Sequence, residues 1–227
     1  IGTQTVTISY GGKRTTLTVT VNEVSVSGIS VKTQPTKVRY FKGEALNLEG
    51  GELKVSYNDG TSRTIAMTDA GVTVSGYNKN TIGTQTVTIS YGGKRTTLTV
   101  TVNEVLISGI SVKTQPKLSY FKGEALNLAG GELKVSYNNG TSRTIAMTDA
   151  GVTVSGYNKN TIGPQTVTIS YGGKRTTLTV TVNEVLISGI SVKTQPTKVR
   201  YFKGEALNLT GGELKVSYNN GTSRTIA

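Results

Sequence analysis

The chain has 227 residues, with 25 Lys and Arg against 13 Asp and Glu, a formal charge of +12, and no Cys, His or Trp. Disulfides, thiol nucleophiles, imidazole bases and the common zinc and haem ligations are thereby excluded. Hydrophobic content is 35%, no apolar run approaches the length of a membrane-spanning helix, and the basic balance favours polyanions without choosing among them.

In chain order the first signal is a repeat. Ile1-Gly2-Thr3-Gln4-Thr5-Val6 returns from Ile82, and again from Ile162 with Pro164 in place of Thr. A period of about 80 residues exceeds any solenoid unit and points to tandem copies of one domain. The junction falls at Asn103-Glu104-Val105-Leu106, after one long strand and before the next. The expected organisation is a C-terminal part of a module at 1–24, whole modules at 25–105 and 106–185, and an N-terminal part at 186–227. The chain opens in mid-pattern, so a window cut from a longer array is expected.

Within 25–105 the period is two. Leu53, Val55 and Tyr57 alternate with Glu52, Lys54 and Ser56, as do Val87, Ile89 and Tyr91 with Thr86, Thr88 and Ser90. The same holds for Leu98, Val100 and Val102 against Thr97, Thr99 and Thr101. Such runs predict strands with one face buried and one wet. Expected strands are 28–33, 37–41, 45–48, 52–57, 61–66, 72–75, 84–91 and 95–102. Gly92-Gly93 suits a two-residue hairpin turn with positive φ, and Asn58-Asp59-Gly60 and Asn138-Asn139-Gly140 are read the same way. No stretch has helical spacing. The fold class is all-β, a β-sandwich of seven or eight short strands per module.

The module resembles the group 3 bacterial immunoglobulin-like domains of Gram-positive surface proteins. The resemblance rests on Gln34-Pro35, Tyr40-Phe41-Lys42-Gly43-Glu44-Ala45-Leu46 and Gly50-Gly51-Glu52-Leu53-Lys54-Val55-Ser56-Tyr57-Asn58-Asp59-Gly60. It continues through Val72-Thr73-Val74-Ser75-Gly76, Gly83 to Gly93 and the Thr-rich last strand. It implies an immunoglobulin-like sandwich in a secreted, often wall-anchored protein, strung in tandem as a stalk or adhesive arm. It brings no catalytic motif, so an enzyme is not expected.

Three sets of residues are singled out. Tyr40-Phe41-Lys42-Gly43-Glu44 is expected to place one ring in the core and to turn the chain between strands. Lys13-Arg14, Lys94-Arg95 and Lys174-Arg175 sit at hairpin tips as a cationic ladder, read either as edge protection or as contacts for an anionic cell-wall polymer or host glycan. Leu106 and Ile107, with Leu186 and Ile187, stand at the junctions and are expected to stiffen the linkers by contact with neighbouring modules. Nucleic acid is not expected, since no recognition helix or interleaved stacking aromatics accompany the charge. No metal or cofactor is expected from the scattered acids, and the Asn-x-Thr matches are read as turn chemistry. A lysine–asparagine isopeptide bond is not expected either, because no Lys is bracketed by core residues. The expected role is a structural spacer. Binding by the repeats themselves and a homopolymer joined end to end are the competing expectations.

Overall fold

Alternating β-branched and polar residues put one face of each strand in water and one against a neighbour, and the computed structural model, which describes residues 1–227, is accordingly built of strands without helices. Two compact units divide at Val105 and Leu106. The first opens with the antiparallel hairpin β1 (Gly2–Tyr10) and β2 (Lys13–Val21). There follow β3 (Val26–Thr33), β4 (Arg39–Phe41), β5 (Glu52–Tyr57), β6 (Ser62–Ala66), β7 (Thr73–Ser75), β8 (Gly83–Tyr91) and β9 (Lys94–Asn103). The second unit repeats that sandwich as β10 (Ile107–Thr114), β11 (Ser119–Phe121), β12 (Glu132–Tyr137), β13 (Ser142–Ala146), β14 (Thr153–Ser155), β15 (Gly163–Tyr171) and β16 (Lys174–Asn183). It closes with β17 (Ile187–Thr194), β18 (Glu213–Tyr218) and β19 (Ser223–Ile226).

Each sandwich has a three-stranded sheet, ordered β3-β5-β6 or β10-β12-β13, and a four-stranded sheet, ordered β4-β9-β8-β7 or β11-β16-β15-β14. Inward residues of both sheets form one core. In the first sandwich these are Leu53 and Val55 of β5, Ile65 of β6, Val87 and Ile89 of β8 and Leu98, Val100 and Val102 of β9, joined by Tyr40, Leu48 and Met67. The second sandwich buries the matching set except for Leu128, the counterpart of Leu48, which is only partly buried. No polar or charged residue is buried in either. The outward phase of the long hairpin is threonine against threonine, Thr84 opposite Thr101, Thr86 opposite Thr99 and Thr88 opposite Thr97. The β-branched shape suits the pleat while the hydroxyl stays hydrated.

Most expected strands form within two residues of their predicted ends, and 45–48 does not form one. The Tyr40 hydroxyl shares its proton between the carbonyls of Lys37 and Asn47, 2.7 and 2.8 Å away, and accepts the Asn47 amide at 3.2 Å. The Asn47 side-chain oxygen also accepts the Glu49 amide. With the Asn47 amide and carbonyl taken by a side chain and the Leu48 carbonyl by the Gly51 amide, this segment forms no ladder. Leu46 and Leu48 still point inward, so the alternation is right about faces and wrong about pairing.

The turns divide in the same way. Gly92 and Gly93 both have positive φ (55° and 75°), as the tight two-residue hairpin demands. Asn58-Asp59-Gly60 differs from the expectation. It is a three-residue loop in which the Gly60 amide bonds to the Tyr57 carbonyl, the Tyr57 amide bonds to the Thr61 carbonyl, and only Gly60 has positive φ. The Asp59 carboxylate, accepting both the amide and the hydroxyl of Thr61, makes this a side-chain-braced turn rather than a mirror-image one. Asn139 braces Thr141 identically.

Candidate interaction surfaces

Strand periodicity decides where the hairpin-tip cations point. Tyr91 pairs with Lys94 and Ser90 with Arg95, so Lys94 follows the phase of the core residues and Arg95 the phase of the outer threonines. The two charges therefore leave on opposite faces, and the same holds for Lys13 with Arg14 and Lys174 with Arg175. All six are exposed and none forms an ion pair or a side-chain hydrogen bond. The paired lysines are others. Lys32 and Lys113 reach Glu52 and Glu132 at 3.3 Å, and Lys37 reaches Glu44 at 3.0 Å.

Arg63, which recurs as Arg143, is a different kind of cation. It lies opposite Val55 on β6, in the inward phase, at the end of the sandwich. Its guanidinium donates to the Tyr91 hydroxyl and sits 5.8 Å from that ring's centre. The phenol oxygens of Tyr57 and Tyr91 favour the charged form and push its pKa up. Arg63 thus ties one sheet to the other. In the sequence its inward phase is signalled only weakly, by the alternation of Arg63 with Ile65 across a single polar residue.

The aromatic corner is built around its ring. Tyr40 is buried and meets Tyr77 edge-on at 5.4 Å between centroids, and burial pushes the Tyr77 phenol up in pKa. Lys42 and Gly43 form the turn, closed by the Glu44 amide on the Phe41 carbonyl. The Glu44 carboxylate returns to accept the Phe41 amide at 2.7 Å; that bond, with the Lys37 ammonium, holds the carboxyl below its ordinary pKa. At Glu124 the Lys117 ammonium is the larger cause and the Phe121 amide the second.

A carboxyl whose pKa is lower folded than unfolded stabilises the fold above the unfolded value of about 4.3, and that contribution disappears as pH falls through the folded value. Glu44→Gln with Glu124→Gln is therefore expected to lower the melting temperature at pH 7. The gap to the parent should close once the pH lies below the folded value. A gap that persisted in acid would show that the carboxylate charge was not responsible.

At the junctions an asparagine side chain holds the incoming segment. The Asn58 amide group donates to the Glu23 carbonyl at 2.9 Å, its oxygen accepts the Ser25 amide at 3.0 Å, and its main-chain amide bonds to the Ser25 carbonyl. Asn219 does the same with Glu184 and Leu186. Asn138 binds the amide and carbonyl of Leu106. Sequence reading assigned Asn58 to the turn alone, since nothing in the pattern shows that its side chain faces a segment 35 residues away. The apolar junction residues have separate placements. Leu106 is 54% exposed, and Ile107 packs on the core of its own sandwich, against the Gly172 turn. Leu186 and Ile187 are both exposed.

No group of three His, Cys, Asp or Glu side chains is placed to hold a metal ion. No helix is long and apolar enough to cross a membrane.

Among characterised proteins the chain is similar to pectate lyase L of Thermoclostridium stercorarium, at 30% identity over 172 residues. That match takes in 75% of this chain and spans 14% of the lyase. Among solved structures it is similar to surface layer protein SbsC, domains 1–6, at 16% identity over 98% of this chain and 36% of that one, with a TM-score of 0.34. Domains 4 and 5 of SbsC match at 20% identity over 70% of this chain and 99% of that one, with a TM-score of 0.31. The model of the bacterial Ig-like domain (group 3) matches twice, at residues 33–102 and 113–182, each match running from the end of the first strand of a sandwich to its last. The sandwich, its tandem copy and these two matches together place the chain in the group 3 bacterial Ig-like family.

Proposed function

We propose that this chain is a non-catalytic spacer of an extracellular bacterial protein, on the surface or wall of a Gram-positive cell, holding a distal domain away from the cell. Its working parts are modules 25–105 and 106–185, flanked by parts of two further modules at 1–24 and 186–227, and the first partners of each module are its neighbours in the chain. The observation that carries this reading is that one sandwich with a closed, wholly apolar core is repeated and that its incoming segment is pinned by an asparagine rather than left loose. A spacer contributes length, and length is additive in copies. A seven-residue strand covers about 23 Å, so a module with its linker adds roughly 40 Å. Inserting one further copy of 106–185 should raise the maximum dimension in small-angle scattering by about that amount. An unchanged dimension would overturn the reading.

A second reading has its own observation, the six unpaired cations Lys13, Arg14, Lys94, Arg95, Lys174 and Arg175. Because each pair divides between two faces, one tip is a weak contact, and binding to a wall polymer or sulfated glycan would come from the sum along the array. Retention on immobilised heparin or teichoic acid should then fall steeply with salt, and changing all six to Gln should abolish it. Retention unaffected by those changes would exclude the tips.

A further inference from the structure

Asn139-Gly140-Thr141 lies between β12 and β13, where the first sandwich has Asp59-Gly60-Thr61. The Asn139 side-chain oxygen accepts two bonds, from the Thr141 amide at 3.0 Å and from the Thr141 hydroxyl at 2.7 Å. The next residue is an exposed glycine, with nothing within 4 Å of where a Cβ would stand. Asn220-Gly221-Thr222 repeats the arrangement. Other asparagines that accept a main-chain amide two residues on differ on both counts. The Asn158 oxygen receives the Asn160 amide without a hydroxyl and precedes Lys159, and the Asn127 oxygen receives the Ala129 amide without a hydroxyl and precedes Leu128.

Attack by the Gly140 main-chain nitrogen on the Asn139 Cγ would push negative charge onto the side-chain oxygen. Both Thr141 donors already point there, as donors in an oxyanion site do. Glycine leaves the attacking nitrogen unscreened by a side chain. The Gly140 amide bonds to the Tyr137 carbonyl at 3.1 Å, so the step follows the opening of that one turn bond. The first sandwich shows what the product does to the loop. Asp59 accepts the amide and the hydroxyl of Thr61 at 2.9 and 2.7 Å, so an acid fits this turn without rearrangement. The Thr61 hydroxyl and then its amide hold that carboxyl below its ordinary pKa, and an ionised carboxylate resists the same attack.

We propose that Asn139 is a self-modifying site, converting in water to aspartate and isoaspartate and thereby loosening the segment that enters the second sandwich. The Gly140 nitrogen gives its proton to solvent base and bonds to Cγ. The bond from Cγ to Nδ2 breaks, and Nδ2 leaves with a solvent proton as ammonia. Water opens the resulting cyclic imide, at Cγ to give aspartate or at the main-chain carbonyl of 139 to give isoaspartate. One water is consumed and one ammonia released. The aspartyl form keeps the turn of the first sandwich. The isoaspartyl form carries an extra methylene in the main chain beside Asn138, whose side-chain oxygen and main-chain amide hold the amide and carbonyl of Leu106 at 3.0 Å each. That grip is lost in the isoaspartyl fraction. This inference goes beyond the spacer reading, and its failure leaves that reading untouched.

Incubation of the full chain in heavy-oxygen water, followed by peptide mapping, tests it. Label should enter the peptide holding Asn139 as ammonia is lost, faster as hydroxide rises, while Asn158 stays intact over the same period. Thr141→Val keeps the shape of the side chain and removes the hydroxyl. It should slow conversion at 139 about tenfold in the folded chain, the worth of one hydrogen bond, and leave the rate in denaturant unchanged. Asn139→Asp should release no ammonia at this position and melt with the parent, since it reproduces the turn at Asp59. Hydrogen exchange at the Leu106 amide should be faster in isoaspartyl chains, separated by chromatography, than in fresh parent or in Asn139→Asp. An unlabelled Asn139, an equal rate at Asn158, a folded Thr141→Val chain that converts as fast as the parent, or unchanged Leu106 exchange in isoaspartyl chains would each overturn the proposal.

Discussion

Tyr40→Ala should melt the sandwich of residues 25–105 well below its neighbour, giving two separated transitions where the parent gives overlapping ones. Two costs add. Removing a buried aromatic ring from a packed core costs about 3–5 kcal/mol. The hydroxyl also serves the carbonyls of Lys37 and Asn47 and the Asn47 amide, and so holds the segment 45–48 in place. A domain of this size holds only about 4–12 kcal/mol in all, so the variant sandwich lies near or past its midpoint. Tyr40→Phe isolates the second cost and should take away about 1–2 kcal/mol. Differential scanning calorimetry resolves the two. Equal shifts in both transitions would mean that the sandwiches melt as one cooperative body, contrary to their separate cores.

The second large effect is a contrast at equivalent positions. Leu133 and Leu214 occupy the same place in Gly-Gly-Glu-Leu-Lys-Val-Ser-Tyr, yet Leu133 is fully buried while Leu214 is 36% exposed. Leu133→Ala leaves a hole enclosed by both sheets and should cost about 2–5 kcal/mol. Leu214→Ala removes a side chain that already meets water and should cost about 1 kcal/mol or less. Urea denaturation of the two variants measures the difference. Equal costs would show that Leu214 is as fully enclosed as Leu133.

That contrast also shows what a sequence can reveal. The faces of the strands were legible because alternation is a property of the chain itself: Leu53 and Val55, Val87 and Ile89, and Leu98, Val100 and Val102 all turn inward as their spacing requires. The repeat and the family resemblance were legible because whole stretches such as 1–24 and 82–105 coincide. Pairing was less so, since a ladder needs a partner that spacing does not name. Leu46 and Leu48 have the alternation of a strand, but a tyrosine hydroxyl takes their neighbour's main chain. Arg39–Phe41 and 200–202 share three residues and differ in structure because only the first has β9 beside it. At the candidate surfaces the positions of Lys94 and Arg95 on opposite faces follow from the pleat. The grip of Asn58 on Glu23 and Ser25 and the tie from Arg63 to Tyr91 join residues about 30 positions apart and leave no local trace.

The short parallel pairing of β4 with β9 also bears on how a module withstands load. Once β3 has been drawn off β5, tension entering at Ser25 and leaving at Val105 draws β4 and β9 in opposite senses along their length. The bonds from the Thr101 amide to the Val38 carbonyl and from the Lys42 amide to the Asn103 carbonyl, both 2.9 Å, lie across that pull, as does the Asn103 side chain on the Tyr40 carbonyl. Bonds set crosswise to a pull are sheared and must fail together, whereas a hairpin pulled from its open end unzips one rung at a time. Three residues of strand at the first corner of the module thus act as its mechanical latch, and survival under tension is governed by the rate at which that latch opens rather than by equilibrium stability.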